Sequence, residues 1–294
     1  MIFVSSSSIN SDAIEDSIKG LSDLGIRKIE LSGGATFSEG ILGRLKSLKK
    51  ELSLDFLIHN YFPPPEKDFV LNIASPRETT RLKSVEFIKK SIQWANYLGI
   101  DRYSFHAGYA RELRPPDRGG QHFNVAPSPT IRPVTAAGYM YESLEKIQKY
   151  AEEKKVKVAA ENLFPFGEEP DISLLSKPSE IFRFLEYFSE KDHVGLLLDL
   201  GHVVISSNYY GFDKDELIDS LINKYLHRIF GIHLSGNDGE IDIHSELSSA
   251  DWQVKTAKKF RHSGIPVTIE CRNLNEYKIV EQYEMLKNAL REGA

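Results

Sequence analysis

Short apolar, β-branched runs alternate along the chain with longer stretches in which apolar positions recur every three or four residues. These are the periods of strand and helix. Eight runs read as strands: Ile2–Ser6, Lys28–Leu31, Leu54–His59, Arg102–His106, Val156–Glu161, Val194–Asp199, Ile229–His233 and Pro266–Glu270. A helical pattern follows each, at residues 11–24, 40–50, 77–98, 136–153, 178–188, 213–226, 249–262 and 274–291. The first of these opens with a Ser/Asp cap and lines up Ile14, Ile18, Leu21 and Leu24 on one face. Gly25, Gly99 and Gly264 stand just beyond helix ends, where a left-handed cap favours glycine. Strict alternation makes the strands parallel, and eight such units close into an α/β fold, the (β/α)8 TIM barrel. An open doubly wound sheet is the alternative, weakened because no Gly-x-Gly-x-x-Gly follows the first strand. No composition shift marks a boundary, so residues 1–294 are expected to form a single domain.

Two strand-to-helix connections, at about residues 60–76 and 107–135, far exceed the usual ~2–6 residues. On a barrel they lie over the C-terminal face, where chemistry occurs. Residues 111–133 carry four arginines against one Glu and one Asp, a local net charge of +2. That segment reads equally as a solvated flap or as a lid contacting phosphate.

Composition narrows the function classes. With 294 residues, 41% apolar and 11% aromatic, the chain can bury a sizeable core. Its net charge of −5 argues against a chain-wide basic surface for nucleic acid. No 18 apolar residues run together and the start lacks a charged segment, so neither a membrane span nor a signal peptide is expected. Cys271 is the sole cysteine, which excludes an intrachain disulfide or a cysteine-rich zinc site and fits a cytoplasmic location.

The candidate chemistry lies at the strand ends. His59, His106, Glu161, Asp199, His233 and Glu270 terminate six consecutive strands, with His202, Asp242 and His244 close behind. Residues ending barrel strands point toward one central space. A carboxylate closing a run such as GLLLD or VTIE would be buried at a cost of several kcal/mol unless a cation compensates it. Mixed imidazole and carboxylate donors suit Zn, Mn or Fe better than Ca. Each group also has an ordinary reading: a lone strand-end His is commonly a hydrogen-bonded structural residue, and Asp199 three before His202 could be a helix cap. Convergence of all nine favours metal binding. Glu30 closes the second strand without an evident partner and is expected at most to support the site from outside. His122, His193, His227 and His262 read as surface or packing residues. Cys271 should point away from the barrel interior and be inert.

The pieces IHNYF, SFHAGY, AAENLF, LLLDLGH, IHLSGNDGEIDIH and TIECRN fall in order at successive strand ends. Together they resemble the xylose-isomerase-like barrel superfamily, which includes sugar-phosphate isomerases/epimerases and endonuclease IV-like nucleases (AP endonuclease family 2). For the isomerases the resemblance implies one divalent metal on Glu161, Asp199, His233 and Glu270. It also implies a metal-stabilised enediolate, with Glu161 and Glu270 as acid and base, and His202 or Arg272 holding substrate oxygens. For the nucleases it implies three zinc ions on all nine residues: His59, His106, Glu161, Asp199, His202, His233, Asp242, His244 and Glu270. VLNIASP also looks like a nuclease segment. The continuation His244-Ser-Glu-Leu-Ser-Ser-Ala-Asp-Trp252 departs from the glycine-rich nuclease pattern and favours the isomerase side. The leading expectation is therefore a sugar or sugar-phosphate isomerase/epimerase with one Mn, Zn or Mg ion (up to three) and a carbohydrate substrate. The alternatives are a multi-zinc phosphodiesterase acting on abasic DNA and a non-catalytic sugar- or metal-binding barrel. Such barrels often pair, so a homo-oligomer is left open.

Overall fold

A computed structural model of the chain describes residues 1–115, 123–129 and 131–291. The strands in chain order are β1 (Ile2–Ser5), β2 (Lys28–Leu31), β3 (Asp55–His59), β4 (Arg102–His106), β5 (Leu113–Arg114), β6 (Asn124–Val125), β7 (Lys157–Glu161), β8 (Val194–Asp199), β9 (Ile229–Leu234) and β10 (Val267–Ile269). Eight of them, all parallel, close a barrel in the order β1-β10-β9-β8-β7-β4-β3-β2, while β5 and β6 form a short antiparallel ribbon of their own. Helices surround the barrel: α1 (Ile14–Asp23), α2 (Ile41–Glu51), α3 (Glu78–Leu98), α4 (Pro133–Lys154), α5 (Pro178–Tyr187), α6 (Leu200–Tyr210), α7 (Lys214–Tyr225), α8 (Trp252–Ala257) and α9 (Glu276–Arg291). Gly25, Gly99 and Gly264 take φ of +83°, +65° and +74°, as left-handed helix ends require. Among the described residues no helix is long and apolar enough to cross a membrane.

Strand alternation positions the site. Residue i+2 on a strand stands one layer above residue i on the same face. A small cavity inside the barrel is lined by Glu30, Leu57, Ser104, Ala159, Leu197, Gly231 and Thr268. Two residues further along the same strands come Ser32, His59, His106, Glu161, Asp199, His233 and Glu270. One periodicity thus places a ring of polar side chains at the C-terminal mouth. The intervening residues, such as Phe105, Ala160, Leu198 and Ile232, face outward into the main core beneath the helices.

Four elements differ from the sequence reading, the first being α1, which starts at Ile14 behind Ala13 with no side-chain cap hydrogen bond where a Ser/Asp cap was expected. Residues 200–210 form a helix where only a connection to 213–226 was expected. LGHVVISSNYY buries residues on several sides, so it shows no amphipathic stripe for periodicity to find. What starts α6 is Asp199, whose Oδ1 accepts from His202 N at 2.8 Å. Glu270 lies just past β10, although its amide still bonds Leu234 O at 2.9 Å. The stretch expected as one helix over 249–262 is instead α8 followed by a 3-10 turn at Lys258–Phe260.

The two long loops interlock. Asn72 Oδ1 accepts from Tyr109 N (2.9 Å) and Ala74 N (3.1 Å), and its Nδ2 donates to Tyr109 O (3.0 Å) and Arg111 O (2.9 Å). Buried Glu112 accepts from Ser75 Oγ and from Thr80 Oγ1, the latter at 2.9 Å. Of the arginines behind the +2 segment charge, Arg111 pairs with Glu169 at 3.2 Å and Arg132 leads into α4. Arg118 and His122 lie outside the described residues.

Candidate metal centre

Glu161, Asp199 and His233 come from the adjacent strands β7, β8 and β9 and Glu270 from just past β10, and each is at most 4% exposed. Three overlapping sets have ligand atoms within 4.8 Å of one another: His59, Glu161 and His233; Glu161, Asp199 and His202; Asp199, His233 and Glu270. His106 flanks the first set, with Nε2 3.6 Å from Glu161 Oε2. Asp242 joins His202 and His244 on the far side, its Oδ2 lying 3.4 Å from His202 Nε2 and 3.0 Å from His244 Nε2. Arg272 reaches the rim, with Nη2 3.1 Å from Glu270 Oε1.

Hydrogen bonds from behind fix which imidazole nitrogen faces this space. His202 Nδ1 lies 2.8 Å from Asn162 O, a carbonyl that only accepts, so that nitrogen carries the proton. His233 Nε2 is likewise backed by Glu30 Oε2 at 3.1 Å, and His59 Nδ1 by Ser104 Oγ at 3.1 Å. The opposite nitrogens then face carboxylates: His59 Nε2 is 3.4 Å from Glu161 Oε2, and His233 Nδ1 is 3.0 Å from Glu270 Oε2. A lone pair held against a carboxylate needs a second proton or a cation between them. Two atoms each about 2.1 Å from one cation lie roughly 3.0–3.4 Å apart at ordinary ligand angles. Glu161 Oε2, Asp199 Oδ2 and His233 Nδ1 are buried without any hydrogen bond. Orphaned donor atoms at ligand-pair spacing fit a divalent cation.

Electrostatics describe the cation-free chain. Burial pushes the Glu161 carboxyl up to about 8 and the His106 imidazole down to about 3. Burial, then the neighbouring His233, also holds His59 well below its ordinary value. His202 and His233 move the other way: burial opposes their charge, but Asp199 and Asp242 around the former, and Glu30 and Glu270 around the latter, outweigh it. A folded pKa raised above the unfolded one gives stability that is full below the unfolded value and is lost as pH rises. For Glu161 that loss runs from about 4.5 to about 8, and for the two histidines it begins above 6.5. His59 and His106, with lowered values, contribute the opposite slope only below 6.5. Above pH 6.5 these five groups therefore leave only losses, so the melting temperature of chelator-treated protein is expected to fall between pH 6.5 and 8.5. Added divalent cation should flatten or reverse the slope, because it binds the deprotonated ligands. Scanning calorimetry at the two pH values checks this, and an apo melting temperature that rises with pH would contradict it.

Several residues support the site, and all but Glu30 escaped the sequence reading. Glu30, expected to lack a partner, holds His233, and Thr268 Oγ1 donates to it at 3.2 Å. Asn162 clamps the end of β8, donating to Asp199 O (3.0 Å) and accepting from Asp199 N (2.8 Å). Asn60 and Tyr109 contact the two nitrogens of His106, at 3.2 and 3.4 Å. His193 is half-buried, while His227 and His262 are exposed, and none of the three joins the ring. Cys271 is fully buried in the outer core with its thiol pushed up to about 12 by burial, consistent with inertness.

A closed parallel barrel with a buried imidazole–carboxylate cluster at the C-terminal ends of its strands defines a TIM-barrel protein whose mouth can hold a divalent cation. The chain belongs to the xylose isomerase-like TIM barrel family, whose model matches residues 18–289. A probable endonuclease 4 of Petrotoga mobilis is 27% identical over 195 residues, which are 64% of this chain and 56% of that protein. Among solved structures, a D-tagatose 3-epimerase-like protein superposes with a TM-score of 0.74 at 21% identity, covering 98% of this chain and 96% of the other. L-ribulose 3-epimerase gives 0.69 at 16% identity, covering 99% and 96%. At these identities the structural likeness is one of fold.

Proposed function

We propose that this protein is a metal-dependent isomerase or epimerase of a sugar or sugar derivative. The observation that carries the reading is the buried quartet Glu161, Asp199, His233 and Glu270, with donor atoms left unpartnered in one shared space. These four residues would hold the cation. Bound there, it supplies positive charge beside the carbonyl and hydroxyl oxygens of a hydroxy-ketone and so acidifies the carbon-bound proton between them. The proton itself is moved by the chain. Glu161 and Glu270 reach the space from β7 and from just past β10, with His233 between them: its Nδ1 is 4.0 Å from Glu161 Oε1 and 3.0 Å from Glu270 Oε2. One carboxylate takes the proton and the other returns one, which is general base and acid catalysis from two sides of a substrate. Arg272, paired with Glu270 at 3.1 Å and partly exposed, orients that carboxylate and offers its remaining donors to substrate oxygens.

A second reading, a multi-zinc phosphodiesterase acting on abasic DNA, is favoured by a specific feature. His59 and His106 beside Glu161, and His202 and His244 beside Asp242, are more donors than one cation uses. The likeness to a probable endonuclease 4 points the same way. The net charge of −5 favours the small substrate. Metal analysis together with a panel of ketoses in D2O separates the two. Roughly one Mn or Mg per chain and deuterium incorporated at a ketose carbon are expected. Three zinc ions per chain, with chelator-sensitive nicking of an abasic duplex and no exchange, would replace the first reading with the second.

A further inference from the structure

We infer that Glu30, from a strand that supplies none of the expected ligands, is a positioning residue that sets the tautomer and orientation of His233. The inference rests on the cation reading of the mouth and holds for either reaction. Glu30 is 2% exposed and points into the barrel one layer below the ring. Its only ion-pair partner among the described residues is His233, with Oε1 3.0 Å and Oε2 3.1 Å from Nε2. Thr268 Oγ1, on β10, donates to Oε2 at 3.2 Å and fixes the carboxylate from its other side. An ionised carboxylate only accepts, so Nε2 must carry hydrogen, and the lone pair of the neutral ring is forced onto Nδ1. That nitrogen is buried, makes no hydrogen bond and lies 3.0 Å from Glu270 Oε2. Without Glu30 the ring could present hydrogen on either nitrogen and rotate about its own bonds.

The arrangement also answers why a fourth acidic side chain is buried beside a cluster that already holds Glu161, Asp199 and Glu270. A buried carboxylate with only one imidazole as ion partner is costly. The cost falls when the ring between them passes positive charge from a cation on its far side to the carboxylate behind. A carboxylate backing a ligating histidine makes the ring a better donor, and losing such a partner typically weakens metal affinity about 10–100-fold.

Zinc supplies a diamagnetic probe. In Zn-loaded protein labelled with 15N-histidine, the His233 signals are expected to show Nε2 protonated and Nδ1 bound to metal. The reverse assignment would overturn the inference without any mutation. In competition titrations against a chromophoric chelator, Glu30→Gln is expected to bind Zn about 10–100-fold more weakly than wild type. Thr268→Val, which leaves the carboxylate in place but unanchored, should show a smaller loss in the same direction. Zinc affinity within twofold of wild type in folded Glu30→Gln would refute the role. These readouts involve no substrate, so they stand or fall separately from the isomerase reading.

Discussion

Glutamine in place of Glu161 is expected to cut turnover about 10²–10⁴-fold, the range for removing a general acid or base. Two of the three overlapping ligand sets contain Glu161, so cation binding should weaken as well. The same substitution should raise the melting temperature of the cation-free protein at pH 8. Burial resists ionisation of this carboxyl, and glutamine has no charge to bury. Wild type would gain a large increment on adding cation and the variant little or none, so the two melting curves should cross over. Such an exchange of stability for function is what a site built from buried like charges predicts. Turnover and calorimetry with and without Mn test it directly. A variant with wild-type turnover and an unchanged cation response would remove Glu161 from the centre.

The ring of candidate ligands was legible because strand alternation is a local property. Once eight strands were placed, the inward-facing residue at or next to each C-terminal end had to point into the mouth, and His59, His106, Glu161, Asp199 and His233 meet there. What Glu30 supports was not legible for the opposite reason. Its partner lies 203 residues away, on a strand that is not its neighbour in the sheet, and only closure of the barrel brings the two together. Helix α6 was missed because the periodicity test needs a polar face, which a helix wedged between the barrel end and its neighbours does not have. The Asp199 cap was visible as D-x-x-H, but a cap and a ligand pair look alike in sequence. Here Oδ1 of Asp199 starts the helix, while Oδ2 is buried without a hydrogen bond and so stays available to a cation.

Asn72 belongs with the features that only the folded chain reveals, and its replacement by alanine should have the largest effect of any change outside the centre. Its side chain is 1% exposed and makes four hydrogen bonds to backbone, three of them across to the loop that follows β4. Alanine would strand Tyr109 N, Tyr109 O and Arg111 O in a space from which water is largely excluded. Each unsatisfied group costs about 1–3 kcal/mol, less what local rearrangement recovers, so a net loss of about 2–4 kcal/mol is expected. Because the two loops wall the mouth, they should separate before the barrel melts. Protease cleavage within residues 107–115 is then expected to accelerate by more than the global loss of stability explains. The Michaelis constant should rise, since Tyr109 would no longer be fixed beside His106. Asn72→Asp keeps the acceptor for Tyr109 N and Ala74 N but loses both donated bonds, and should fall between wild type and Asn72→Ala. Equal protease sensitivity in all three proteins would mean that the loops are held by Glu112 and by the Phe123 ring, which lies 6.4 Å from that of Tyr61 and 6.2 Å from that of Tyr109, with Asn72 contributing little.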